Sequence, residues 1–475
     1  MTGKKTNKGT NKKTDNKGTV KVANKAGNKA GDKADIKNQL VGYLDAAKSP
    51  AHVVKYAAGR LKEAGFVELA FDSKFDIKEG GKYYCTPYDS VLFAFSVSAQ
   101  VKSGKMHIAC AHTDSPSFKI KPLADMGAKA NVNRINVEPY GGALKRTWFD
   151  RPLAVAGQLV LKGDSIFAPK RVMFDSEKPW FIIPSLAPHM DREIEEKKLD
   201  AQKELIPVCS LVKDESGKSA KEEAGKEALS FISVLADKAG VKAEDILDYD
   251  LNLYVSDKAQ SCGINEELLL APRIDNVGSV AALVEGLIDG QNETASDDND
   301  LNIIALFDNE EIGSRTKQGA DSMIFSWIID RIFDAELFNT ADKLTALAHS
   351  TMLSVDGAHA VHPNYPEKAD ETSKAFLGKG IVLKTSASQR YVSDASMSGI
   401  LKQICEKYDI MLQAQANRSG TPGGQTLGPI ESSFLPIPAA DLGMPMLAMH
   451  SCMETIAISD YEALYRLMCV WNAQR

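Results

Sequence analysis

Two histidines and a set of carboxylates stand where short apolar runs of this chain end. They are His112 with Asp114 in AHTDS, Asp275 in PRIDN, the Glu310-Glu311 pair in FDNEEIGS, Asp356 in SVDGAHAVHPNY and His450 in AMHS. Imidazoles mixed with carboxylates are the donor set of an N/O site for zinc, cobalt or manganese, as opposed to a thiolate zinc site. A carboxylate on a tight turn after a strand, as at Asp275, can bridge two ions, which then lie about 3.5–4 Å apart. The adjacent glutamates suit two separate jobs. One ligates; its neighbour stays unligated and takes a proton from a metal-held water.

Each piece alone has a plainer reading. A histidine at a strand end is often structural, an aspartate after a strand caps the following helix, and a Glu-Glu pair suits a helix start through the dipole. The order His, Asp, Glu-Glu, Asp, His, with each group near the end of an apolar strand, has no such reading. It predicts a metal-dependent hydrolase.

The elements that must position these groups follow from periodicity. Residues 37–65 read as helices, with Leu40, Tyr43 and Leu44, then Val53, Val54 and Ala57, at spacings of three and four. Residues 106–110, 268–270, 302–307, 352–355 and 444–449 read as short strands leading to the polar groups, and a helix after Arg273-Ile274-Asp275-Asn276 runs to about Gly286. Apolar runs separated by helices predict an α/β catalytic domain with a mostly parallel sheet flanked by helices. In such sheets ligands bind beyond the carboxyl ends of the strands. Residues 119–262 break the alternation. Runs at 159–161, 171–174 and 180–183 and a polar Lys/Glu-rich passage at 214–228 predict an inserted β-rich domain with a flexible loop. The chain thus divides into a tail (1–35), a first catalytic segment (36–118), the insertion (119–262) and a second catalytic segment (263–475).

The tail carries ten lysines against three aspartates and an NKAG-like repeat. With almost nothing able to pack, it is expected to be disordered and to carry no chemistry. The whole chain has 475 residues and a formal charge of −6. This points to neither a nucleic-acid binder nor a membrane-surface protein. No window reaches the apolar length of a membrane span, and the N-terminus lacks the apolar stretch of a secretory signal. Seven scattered cysteines without a CxxC pair suit reduced thiols and a cytoplasmic setting. Cys110 and Cys452 are expected in the core, and His349 and His362 in structural roles. Gly423-Gly424 in TPGGQT lacks a following GK[ST], so no nucleotide site is expected.

AHTDSPSFKIKP, APRIDNVGS, FDNEEIGSRTKQGA, SVDGAHAVHPNYPEK, GTPGGQTLGPI and LAMHS together resemble the aspartyl aminopeptidase family, over essentially the whole chain after the tail. The resemblance implies that the inserted β-rich domain is a dimerisation domain and that subunits assemble as a tetrahedral dodecamer. It implies removal of the N-terminal residue, Asp or Glu, from short peptides, with two divalent metal ions per subunit, zinc first and manganese or cobalt accepted. Residue by residue, it implies that Asp275 bridges the ions, that His112, Glu311, Asp356 and His450 complete their shells, and that Glu310 is the general base. His359 would contact the substrate or the tetrahedral intermediate, and Lys384 and Tyr391 of KTSASQRY would bind substrate. His189 of PSLAPHMDRE would reach a neighbouring subunit's site. Asp114 is expected to hold the His112 ring through its other nitrogen. The Lys-rich leader and residues 214–228 match no motif, and an aminopeptidase of the same architecture with apolar or basic preference is the first rival. An amide deacylase or carboxypeptidase is the second. A shell without turnover is a third, against which the intact chemical positions speak.

Overall fold

The computed structural model describes residues 33–194, 196–212, 229–290, 300–339, 341–421 and 423–473. The tail up to residue 32 and the polar run at 214–228 lie outside the described residues. The first helix, Lys33–Ala46, starts inside the stretch read as tail. The second, Pro50–Glu63, opens on a proline, whose missing N–H costs nothing there, and buries Val53, Val54, Ala57 and Leu61 at the expected spacing.

A nine-stranded sheet forms the centre. In spatial order its strands are Val67–Glu68, Lys82–Tyr88, Val91–Val97, Leu301–Phe307, Met106–His112, Thr351–Val355, Ala439–Gly443, Ile381–Thr385 and Leu412–Ala416. The middle four run parallel to one another, and the strands flanking them run antiparallel. Met106–His112 and Leu301–Phe307 are buried at every position, which is why they read as mostly apolar runs, broken only by His107 and Asn302 before His112 ends the first. Helices Pro50–Glu63, Ile274–Gly290 and Ile458–Ala473 pack on one face around Leu61, Val284 and Leu467. On the other face Phe93, Phe307 and Phe325 of helix Ile324–Phe333 form a second core. The α/β architecture with a mostly parallel sheet between helices is as expected.

The interruption is a six-stranded, wholly antiparallel sheet. Its order is Ala168–Asp175, Leu153–Ser165, Ile246–Val255, Ser117–Lys129, Val132–Tyr140 and Val208–Leu211. It has its own core, with Phe118, Trp148, Leu159, Phe231 and Leu253. Residues 180–183, read as a strand, make only the bridges Leu153↔Phe181 and Ile182↔Val208.

A third, small sheet joins Gln260–Cys262, Leu268–Ala271, Glu454–Ala457, Pro445–Leu447 and Ala358–His359. It corrects two expectations. Residues 268–270 lie in Leu268–Ala271, which pairs antiparallel within this small sheet, and residues 444–449 are not a strand of the central sheet ending at His450. The central strand is Ala439–Gly443, and at Gly443 the chain passes so close to Asp356 that a Cβ would lie 1.4 Å from its carbonyl oxygen. Beyond Pro445–Leu447, Ala448 and His450 take positive φ angles of 57° and 66°, so His450 sits in a turn of the small sheet. A short apolar run looks the same in either sheet, and local pattern cannot separate the two.

Candidate metal centre

Each group reaches the centre by a different local device. His112 is the last residue of Met106–His112. Asp275 and Asn276 depart from helical geometry at the head of Ile274–Gly290, after Arg273 has turned the chain at φ 60°. Asn309, at φ 64°, diverts the chain after Leu301–Phe307 into a single turn, Glu310–Ile312, closed by Gly313 at φ 97°. That turn sets both glutamates just beyond the carboxyl end of Leu301–Phe307. Asp356 follows Thr351–Val355, and the small sheet's turn brings in His450.

The six side chains converge. His112 Nε2 lies 3.5 Å from Asp275 Oδ1, 3.4 Å from Asp356 Oδ1 and 4.0 Å from Glu310 Oε2. His450 Nε2 lies 3.5 Å from Asp275 Oδ2 and 3.6 Å from Glu311 Oε2. The two oxygens of Asp275 therefore face two different imidazoles. His112, Asp275 and Asp356 form one triad with ligand atoms within 4.8 Å of each other; Asp275, Glu311 and His450 form another, and His112, Glu310 and Glu311 a third.

The electrostatics are those of carboxylates crowded around two imidazoles. Burial together with Asp356, Asp114 and Asp275 pushes the Glu310 carboxyl up to about 8, and burial with Asp275 also raises the Glu311 carboxyl well above the usual range. Burial opposes ionisation of Asp275, but His112 and His450 outweigh it and hold its carboxyl far below the usual range. The same carboxylates overcome burial to raise both imidazoles, His450 to about 10. Asp275 Oδ1 is buried without a hydrogen-bond donor, a cost unless a cation answers it. Two divalent ions among these N/O donors would stabilise the ionised carboxylates and the neutral imidazoles together. The residues fit such a pair.

The rings are oriented for it. His112 Nδ1 lies 3.1 Å from the Asp114 carbonyl oxygen and 3.3 Å from Asp114 Oδ1, and His450 Nδ1 lies 3.3 Å from the Gly142 carbonyl. Both contacts leave Nε2 to the cluster. Asp114, fully buried, also accepts the backbone amides of Glu310 and Glu311, each at 3.1 Å, and the Tyr140 hydroxyl at 2.7 Å.

The remaining candidates divide. Lys384, 2% exposed, donates from Nζ to the Gly357 carbonyl at 2.8 Å and lies 3.8 Å from Asp356 Oδ2. The buried Tyr391 ring sits 5.3 Å from the same ammonium. His359 is exposed on Ala358–His359, which pairs with Pro445–Leu447, the strand that leads into His450's turn. His189 occupies an exposed turn of the insertion and takes no part in the cluster's bonds among the described residues. Cys110 and Cys452 are buried; His349 caps the end of Lys343–Ala348, and His362 packs on Tyr365.

Sequence reasoning missed two groups. Glu454, 1% exposed, accepts the amide protons of both Asp275 and His450, and Tyr140 of the insertion supports Asp114. The available signal for Glu454 was a lone charge at the start of an apolar strand four residues after a candidate ligand.

A mostly parallel sheet with imidazoles and carboxylates gathered beyond its strand ends defines a metallohydrolase. Residues 43–470 match the family described as Aminopeptidase I zinc metalloprotease (M18), and the chain belongs to that family. It is 38% identical over 426 residues to a probable M18 family aminopeptidase 2 of Clostridium novyi (strain NT), covering 89% of this chain and 95% of that protein. It is 34% identical over 455 residues to an aspartyl aminopeptidase of Dictyostelium discoideum, covering 89% and 93%. Its fold superposes on one chain of the S. cerevesiae mApe1 dodecamer structure with a TM-score of 0.77 at 25% identity, covering 92% of this chain and 97% of that one. The protein is an aminopeptidase, a hydrolase of peptide bonds.

Proposed function

We propose that this aminopeptidase removes the N-terminal residue of short peptides with two divalent ions, zinc by default and manganese or cobalt accepted. His112, Asp275 and Asp356 would hold one ion; Asp275, Glu311 and His450 would hold the other. The observation that carries this reading is the placement of the two Asp275 oxygens, each 3.5 Å from a different imidazole. When bound, the ions lower the pKa of water and polarise the scissile carbonyl. Glu310 belongs to neither of these two triads. It accepts the proton of the attacking water on its carboxylate and delivers it to the leaving amine.

Lys384 supports Asp356, since its ammonium is buried between that carboxylate and the Gly357 carbonyl. This revises its expected contact with substrate. His359, exposed beside the cluster, and Tyr391 are the substrate-side groups of the same subunit, and His189 acts on a neighbour's site in a homo-oligomer, a dodecamer. The aspartyl aminopeptidase of Dictyostelium discoideum supports a preference for acidic N-terminal residues. The setting is cytoplasmic. No described helix is long and apolar enough to cross a membrane.

One experiment tests the reading. Asp-, Leu- and Lys-anilides and N-acyl amino acids are assayed with metal-replete and chelator-stripped protein. Loss on stripping, restoration by Zn²⁺, Mn²⁺ or Co²⁺ and fastest turnover of the Asp-anilide are expected. Activity in metal-free protein refutes the mechanism. Preferential turnover of N-acyl amino acids makes the protein a deacylase, and faster Leu- or Lys-anilide turnover removes the acidic preference.

A further inference from the structure

We propose that residues 140–144, the end of strand Val132–Tyr140 and the loop after it, are the positioning element of the metal centre, with Tyr140 as its principal residue. This rests on the two-ion reading above. The insertion leaves the catalytic sequence just after Asp114. Its first hairpin then pairs Ser117 with Tyr140, returning the chain to its starting point. Tyr140 is buried, and its hydroxyl accepts from Asn309 Nδ2 at 2.8 Å. Its single proton is therefore left for Asp114 Oδ2, at 2.7 Å.

The Asp114 carboxylate thus collects three donors, Tyr140 and the amides of Glu310 and Glu311, while the His112 ring faces the same residue, its Nδ1 3.1 Å from the Asp114 carbonyl and 3.3 Å from Oδ1. One hydroxyl from the insertion therefore fixes the carboxylate that orients a ligand ring, a second ligand's backbone and the backbone of the base.

The next residues act on the other triad. A Cβ at Gly141 would lie 3.0 Å from Glu311 Cβ, and one at Gly142 2.9 Å from His450 Nδ1. Only glycines let this backbone approach both ligands so closely. The Gly142 carbonyl faces His450 Nδ1 at 3.3 Å, and the Leu144 amide donates to the His450 carbonyl at 2.9 Å. His112, Glu311 and His450 are all held, directly or through Asp114, by one short stretch of the insertion. The insertion is then an integral piece of the metal site's own architecture, whatever it does between subunits.

The test compares Tyr140→Phe, Gly142→Ala and a control, Tyr249→Phe. The Tyr249 hydroxyl donates to the Lys121 and Pro122 carbonyls within the insertion, away from the cluster. Zinc affinity is read by competition with a chelating dye, and kcat and KM are read at saturating zinc. Removing a partner that orients a ligand typically weakens metal affinity or activity by about 10–100-fold. Tyr140→Phe should lose affinity in that range and about tenfold in kcat, with KM within about twofold. Gly142→Ala should lose affinity, and Tyr249→Phe should match wild type. Wild-type affinity and kcat in Tyr140→Phe overturn the proposal, as does an equal loss in Tyr249→Phe. Should Tyr140→Phe fail to fold, unchanged affinity in folded Gly142→Ala overturns it. Wild-type protein that takes up no zinc sinks the two-ion reading itself, a result distinct from variants that bind as well as wild type.

Discussion

Glu454 is joined to Asp275 by a 2.9 Å hydrogen bond from the Asp275 amide to Oε2, while its other oxygen takes the His450 amide at 2.7 Å. One buried carboxylate thus sets the spacing of two backbones that carry candidate ligands. Burial and the charge of Asp275 push the Glu454 carboxyl up to about 8, so the clamp stands in a strongly acidic neighbourhood.

Glu454→Gln should weaken the clamp without changing its shape. A glutamine oxygen satisfies one amide and its NH2 group opposes the other. Leaving one buried amide without an acceptor costs about 1–3 kcal/mol. The expected outcome is a lower denaturation midpoint and about tenfold weaker zinc binding. Unchanged values for both would show that the two backbones hold their places without Glu454.

Glu310→Gln should retain metal and fold while kcat falls by about 10²–10⁴-fold, the usual worth of a general base. Asp275→Ala should lose metal as well as turnover, because both triads share it. Metal analysis beside steady-state kinetics separates the two effects. Substantial turnover in Glu310→Gln would place the base elsewhere, with Glu311 the first group to examine.

Removal of residues 1–32 should leave thermal stability and kcat/KM for a small anilide unchanged. Removal through residue 45 should not. It strips Leu40, Tyr43 and Leu44 from the core, each worth about 1.5–3 kcal/mol of apolar burial. It also removes the Tyr43 hydroxyl from Glu285, which Arg60 grips with two nitrogens. Calorimetry on both truncations checks this, and a loss of stability from the shorter one would show that the leader packs.

His189→Ala should raise KM or lower kcat with metal content unchanged, since the residue stands away from its own chain's cluster. Light scattering at micromolar concentration should report a dodecamer. A fully active monomer would refute a site completed by its neighbour.

Much of this was legible in the sequence, for a physical reason. Parallel strands buried on both faces must be continuously apolar, so polar residues fall at their ends, where the sheet can present them. His112, Glu310, Glu311 and Asp356 stood out for that reason, Asp275 by its place after a short apolar strand that belongs to the small sheet, and the loss of helix–strand alternation marked the insertion. Only the tertiary structure decided which oxygen of Asp275 faces which imidazole. It also showed that Lys384 is buried against Asp356, that His450 belongs to the small sheet, and that Glu454 and Tyr140 support the site. These facts rest on contacts such as Tyr140 with Asp114 and Glu454 with Asp275, 26 and 179 residues apart in sequence. Local periodicity reports which face of an element is buried; it carries no record of what that face meets.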